Sequence, residues 1–173
     1  MTDHPLDLTL VRHWFDSVDA KEGIGTELYQ AISQLVPSVS VELFIRSTDR
    51  KSTLLIWRAD EYYGPGWHVP GGVVRFKESL QQRVQKVVRD ELNCDIAKVI
   101  GPIGFHEIFN EERDIRGHFV SFVFEVTLAH QPNSRQRASN EPSNGMWRWF
   151  DQCPDDLIPN QNQLREYFRH SGQ

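Results

Sequence analysis

Two carboxylates, Asp90 and Glu91, stand near the end of a segment with helical periodicity that runs from Glu78 to about Leu92, and a glycine pair, Gly71-Gly72, lies just before it. At about 100° per residue, Leu80, Val84, Val87 and Val88 share one helical face, and Glu91 falls on that face about 20° from Leu80 and from Val84. A carboxylate on an apolar stripe is costly to bury unless it is paired or meets a metal ion. The other reading is a helix-end glutamate that escapes to solvent as the last turn frays. The glycines add a second element. A Pro70-Gly71-Gly72 turn after a strand lets a carbonyl approach a cation, or amides approach a phosphate, with no side chain in the way. Alone it is only a turn; followed by Glu78 and a helix ending in Asp90-Glu91, it points to metal-assisted phosphate chemistry.

The elements that must position these residues are legible from periodicity. Leu8, Val11, Phe15 and Val18 mark a first helix, broken by Gly23 and Gly25; Leu28, Ile32 and Leu35 suggest a short second one, stopped by Pro37. From Val39 the period becomes two: Val39, Val41, Leu43 and Ile45 alternate with Ser40, Glu42, Phe44 and Arg46, a strand that returns through Thr53–Arg58. Short extended pieces flank the Pro-Gly-Gly turn. Asn93 suits the left-handed position after the central helix. Strands are expected over Ile96–Phe109, His118–Leu128 and Met146–Phe150, a polar loop over 130–145, and a last helix carrying Leu164, Tyr167 and Phe168. The order predicts an α+β fold, an α/β/α sandwich around a mixed sheet.

Composition narrows the function. The chain has 173 residues, within the roughly 100–200 of one domain. Its longest run of large apolar residues is far short of the roughly 20 that a membrane span needs, so no membrane partner is expected. Two cysteines, Cys94 and Cys153, exclude a disulfide framework and fit a cytoplasmic setting. A net charge of −5 lacks the basic footprint of a nucleic-acid binder. An acidic protein can still hold a phosphate, with local arginines, a metal ion, or both.

Residues 72 to 94 resemble the Nudix box, G-x5-E-x7-R-E-U-x-E-E-x-G-U with U aliphatic. Gly72, Glu78 and Glu91 match, Lys86 stands for the arginine, Val88 for the aliphatic residue and Asp90 for the first of the paired glutamates. Val87 replaces the other glutamate and Asn93 the final glycine. The resemblance implies the Nudix fold for residues 37–173, with residues 1–36 as an unmatched helical extension. Residues 87 and 91 are neighbours on a helix, so losing one carboxylate predicts fewer ions, a single Mg²⁺ or Mn²⁺ that keeps several waters. That loss is similar to one branch, the GDP-mannose mannosyl hydrolases. Ser40–Ile45, Leu54–Arg58, Trp67–Gly72, Gly117–Val120 and Trp147–Trp149 also resemble segments of that branch.

By that resemblance the metal is held by the Gly71 carbonyl and Glu91, with Asp90 beside them, and by the substrate diphosphate. Arg58 neutralises the leaving nucleoside diphosphate, and Glu42 and Arg75 meet the substrate. Arg75 stands in for a second arginine that the branch carries where this chain has Val73. The branch attacks the anomeric carbon of a nucleoside diphosphate sugar with water, so a C–O bond breaks; it also implies a homodimer. Its general base, a loop histidine, falls on Asn144, with Ser143 at the preceding glutamine. Asparagine cannot take up a proton in this range. Glu141 in the same loop is the first candidate base, followed by His106, Glu107 and His118; Arg135 and Arg137 could clamp a diphosphate from that loop. Two other functions stay open: pyrophosphatase cleavage of a P–O bond, and a non-catalytic nucleotide-sugar-binding module.

Overall fold

The computed structural model describes residues 7–21, 23–60 and 63–168. Two helices, α1 (Leu8–Asp16) and α2 (Thr26–Ile32), precede β1 (Ser38–Arg46), β2 (Thr53–Arg58), β3 (Gly66–His68) and β4 (Gly71–Val73). The central helix α3 (Leu80–Leu92) follows, then β5 (Ile96–Phe109), β6 (His118–Leu128), β7 (Trp147–Phe150) and a closing 3₁₀ helix, Pro159–Phe168. The strands form one mixed sheet in the order β3-β2-β1-β6-β5, with β4 on β1 and β7 on β2. β1 and β6 are parallel; the other pairs are antiparallel. This is the expected α+β arrangement.

β1 is the organising strand. Its two faces feed two apolar clusters. Val41, Leu43 and Ile45 join Leu54, Ile56, Phe124 and Val126 under Val84, Val87, Val88 and Leu92 of α3. Phe44 joins Leu55, Trp67, Val69 and Val123 under Leu164 and Phe168 of the closing helix. Simple alternation therefore understates the burial of β1: Phe44 is fully buried and Arg46 nearly so, the latter paired with Glu125 of β6. The closing segment is a 3₁₀ helix rather than the α-helix expected. A three-residue turn stacks Gln161 with Leu164, both buried, so the tighter period suits its inward side chains.

α3 begins at a capping box in which Ser79 and Gln82 satisfy each other's backbone, and it ends on Asn93 at φ 50°, the left-handed position expected of it. Its first turn is fastened to the preceding loop by Glu78, whose Oε2 accepts from Arg83 Nε at 2.7 Å and from the Arg75 amide at 2.9 Å. Burial pushes the Glu78 carboxyl up, but these hydrogen bonds and the Arg83 charge leave it below its ordinary value. The box position that should carry this arginine holds Lys86, which adds only a weaker field; Arg83, one turn earlier, makes the contact. Both side chains of the pair are about nine-tenths buried.

Removing one member of a buried ion pair strands the other. Arg83→Ala should lower stability by about 3 kcal/mol and Lys86→Ala by less than about 1 kcal/mol, read by urea unfolding. Equal losses would show that Arg83 does not carry the contact.

Candidate active site

β1 changes antiparallel partner along its length. Ile45 and Arg46 face β2, whereas Ser40, Val41 and Glu42 face Val73, Gly72 and Gly71 of β4. A cavity of about 580 Å³ opens beside this switch. Of the residues named from sequence, Glu42, Arg58, Gly71, Asp90 and Glu91 all line it.

The ladder fixes how Gly71 faces. Leu43 N donates to Pro70 O and Val74 N to Val39 O, so 43/70, 41/72 and 39/74 are the hydrogen-bonded pairs, the first by one bond because proline has no N–H. Gly71, opposite Glu42, is in a non-exchanging pair, and its carbonyl is directed away from β1. The same pairing puts Glu42 over the glycine: a Cβ on Gly71 would stand 2.7 Å from Glu42 Oε2 and 2.6 Å from Val41 O. Gly72 lies close on α3, where a Cβ would meet Val87 Cγ2 at 3.0 Å. Val87 is thus core, not cavity wall, and α3 offers the cavity Asp90 and Glu91 alone.

Three further residues complete this wall. His68 lines the cavity because its neighbour Trp67 is buried in the core and strand side chains alternate. Its Nδ1 lies 2.7 Å from the Ile56 carbonyl, which fixes Nδ1 as the donor. Its Nε2 lies 3.7 Å from Glu91 Oε2. Gln161 grips the Val69 amide and carbonyl while Nε2 donates to Glu42 Oε2 at 2.8 Å, and Ser121 donates to Glu42 Oε1 at 3.4 Å. Alternation from Trp67 signals His68 in the sequence. Nothing local signals Gln161, which is brought in from more than a hundred residues away.

The donor set suits a single cation. The outward Gly71 carbonyl and the Glu91 carboxylate are hard oxygen donors on one cavity, and Asp90 adds charge beside them. Among the described residues, no group of three or more His, Cys, Asp or Glu side chains gathers to hold a metal ion. An ion here therefore depends on backbone, water and ligand oxygens, and the residues fit a cation that arrives with a phosphate.

Other sequence candidates lie elsewhere. Arg75 does not line the cavity; its guanidinium packs on Gly23 and its Nη1 points to the Lys21 carbonyl. Glu141 is exposed on the loop before β7 and is not part of the cavity wall. Asn144 is part of it, with Oδ1 accepting from the Ala59 amide at 3.0 Å. His106 pairs with the Tyr167 hydroxyl, and His118 lies 3.4 Å from Glu107, all three away from the cavity. Arg135 and Arg137 flank Gln136, which lines it. Tyr63, which the sequence reading did not single out, is on the wall.

Burial, and then the charge of Glu91, raise the Glu42 carboxyl from 4.5 to about 8 against the hydrogen bonds of Ser121 and Gln161 and the charge of Arg58. The folded protein thus keeps a proton that the unfolded chain gives up, so stability falls as pH rises from about 4.5 through 8. With divalent metal chelated, thermal melts should show wild type losing ground to Glu42→Gln between pH 5 and pH 9, by on the order of 2 kcal/mol. Parallel pH profiles would show that Glu42 is ionised throughout.

A domain model shows the family and solved structures show the fold. The NUDIX domain model matches residues 36–170. The low-salt glycan biosynthesis protein Agl8 of Haloferax volcanii is 36% identical over 109 residues, 61% of this chain and 68% of that protein. Among solved structures, a MutT NUDIX hydrolase from Burkholderia pseudomallei superposes with a TM-score of 0.59 at 20% identity, over 79% of this chain and 98% of that one. The NUDIX domain of Shewanella oneidensis NrtR, complexed with ADP ribose, does so at 0.55 and 20% identity, over 90% and 94%. With its box, its fold and the family model all in register, the chain belongs to the NUDIX family.

Proposed function

We propose that this protein is a Mg²⁺-dependent hydrolase of nucleoside diphosphate sugars, with Mn²⁺ as an alternative ion, that releases free sugar and nucleoside diphosphate. The observation that carries the reading is one cavity holding Gly71, Glu91 and Arg58 while Val87 is withdrawn into the core. A helix that brings Asp90 and Glu91 to the cavity but has valine at position 87 suits chemistry in which the ion assists a leaving diphosphate better than P–O attack that leans on several ions. The glycan-biosynthesis relative favours a sugar-bearing substrate. The division at residues 36 and 37, a cytoplasmic setting and a homodimer belong to the same proposal. For the last, Phe105 and Phe109, 68% and 62% exposed, offer an apolar face on β5.

Gly71 and Glu91 would hold the ion, with Asp90 beside them, and when bound it supplies charge neutralisation on the departing diphosphate. Arg58 shares that load from β2, its guanidinium held by Asp60 and by the Tyr63 ring at 4.7 Å. Water forms the new bond to the anomeric carbon, the bond from that carbon to the phosphate oxygen breaks, and its electron pair leaves with the diphosphate. Glu42, with Gln161 and Ser121 holding its carboxyl, is placed to meet the sugar. Glu141 is proposed to take the water's proton, which requires the loop before β7 to bring it inward.

A panel of nucleotide sugars with and without Mg²⁺, run in ¹⁸O water, tests the reading. Label should appear in the sugar; label in phosphate would favour the pyrophosphatase reading, and no turnover the binding module. Glu91→Gln should lose Mn²⁺ binding in an EPR titration with an unchanged circular dichroism spectrum; retained affinity would overturn the metal assignment. Glu141→Gln should slow turnover by roughly 10²-fold, and a full-rate variant would remove it as the base.

A further inference from the structure

Three guanidiniums converge on one aromatic ring at the cavity mouth. Arg58, Arg113 and Arg116 lie 4.7, 4.6 and 5.3 Å from the centre of Tyr63. Arg58, Tyr63 and Arg116 also line the cavity, on a wall shared with Asp60. The ring's π face attracts cations, and Asp60 offsets part of their charge by pairing with Arg58; an anion that enters the cavity between Arg58 and Arg116 meets two cationic side chains at once. Arginine's planar fork matches phosphate oxygens two at a time.

Arg116 is held in an unusual way. It sits in the left-handed region at φ 57°, a conformation that disfavours a bulky residue. Its amide donates to Ser33 Oγ at 3.1 Å, and that hydroxyl donates to the Gln30 carbonyl at 2.8 Å, just beyond and within α2. Its guanidinium also lies 5.6 Å from the Tyr29 ring, and the Tyr29 hydroxyl is 3.1 Å from Ser38 Oγ at the start of β1. The loop is closed behind it, with Asn110 N donating to Gly117 O at 2.7 Å. The α2 segment, which matches no part of the hydrolase branch, thereby fixes the backbone of a cavity arginine.

We propose that Arg116 is the second phosphate-binding arginine of this site, taking over the task left open at Val73, and that α2 is the brace that positions it. The proposal rests on reading the cavity as a nucleoside diphosphate site and adds a specificity: the mouth discriminates diphosphates from monophosphates through Arg116, acting with Arg58. The N-terminal helices then matter to binding, though they contribute no buried apolar side chain.

Calorimetric titration of the full chain with GDP, ADP and UDP in Mg²⁺ buffer, and with the monophosphate of whichever base binds, separates the proposal from its premise. Wild type should prefer the diphosphate. Arg116→Gln should weaken diphosphate binding by roughly 10- to 100-fold while changing monophosphate binding far less, and Arg116→Lys should recover part of the loss. The salt dependence of diphosphate binding should flatten in Arg116→Gln, which a purely structural role would not produce. Ser33→Ala, which leaves the arginine in place, should weaken diphosphate binding by a smaller factor with little change in melting temperature. Wild-type diphosphate affinity in Arg116→Gln overturns the arginine assignment and leaves the site reading standing; wild-type affinity in Ser33→Ala overturns the brace. If wild type binds none of the three diphosphates, the site reading fails and this proposal fails with it.

Discussion

The structure depends on how closely backbone approaches backbone at Gly71-Gly72. On one side Gly71 has the Val41 carbonyl and the Glu42 carboxyl where a side chain would be, and on the other Gly72 has Val87 and Arg83. Any larger residue at Gly71 would press on the β1 backbone itself, which cannot yield without opening the sheet. Only this fit lets β4 lie on β1 with the Gly71 carbonyl turned outward, and only then does the C-terminal turn of α3 reach the same cavity. The fold's central packing and its candidate cation site are therefore one constraint.

That constraint also gives a physical account of Val87. The methyl that faces Gly72 belongs to the cluster under α3, together with Val84, Val88 and Leu92. A carboxylate there would need a cation to offset its burial; a valine needs none. The helix keeps its apolar seam intact and leaves its acidic function to Asp90 and Glu91, at the end where the cavity begins. The charge of Glu91 is among the causes that raise the Glu42 carboxyl, so both carboxyls of this wall are not ionised cheaply together. The proton on Glu42 removes the repulsion in the absence of positive charge.

Much of this was legible in the sequence because it was local. The period of α3, its left-handed Asn93, the glycine turn and the alternation of β1 and β6 all follow from neighbours along the chain; they gave Gly71, Asp90 and Glu91, the family resemblance gave Glu42 and Arg58, and all five line one cavity. What escaped was non-local or depended on degree. Lys86 occupied the arginine's place in the motif, but a helix offers a partner one turn away as readily, and Arg83 took it. Arg75 was two positions from the expected arginine and on the expected face; the N-terminal segment draws it away. Gln161 enters on the closing helix and Arg116 at the turn before β6, and no periodicity encodes where either is brought.

Asn144 shows how a motif position can change its work. Its Oδ1 receives the Ala59 amide, while Trp57 exchanges backbone hydrogen bonds with Gly145 and Met146 just beyond it. The amide thus ties the loop before β7 to the end of β2, beside Arg58. A histidine there could hold the same turn or take a proton, but a ring nitrogen that accepts the Ala59 amide has spent the lone pair that a base needs. With asparagine the amide oxygen makes the tie and the side chain has no proton-accepting role to give up. Tying the mouth and delivering cations to it are separate tasks: Asn144 does the first, and Arg58 at the end of β2 and Arg116 before β6 do the second.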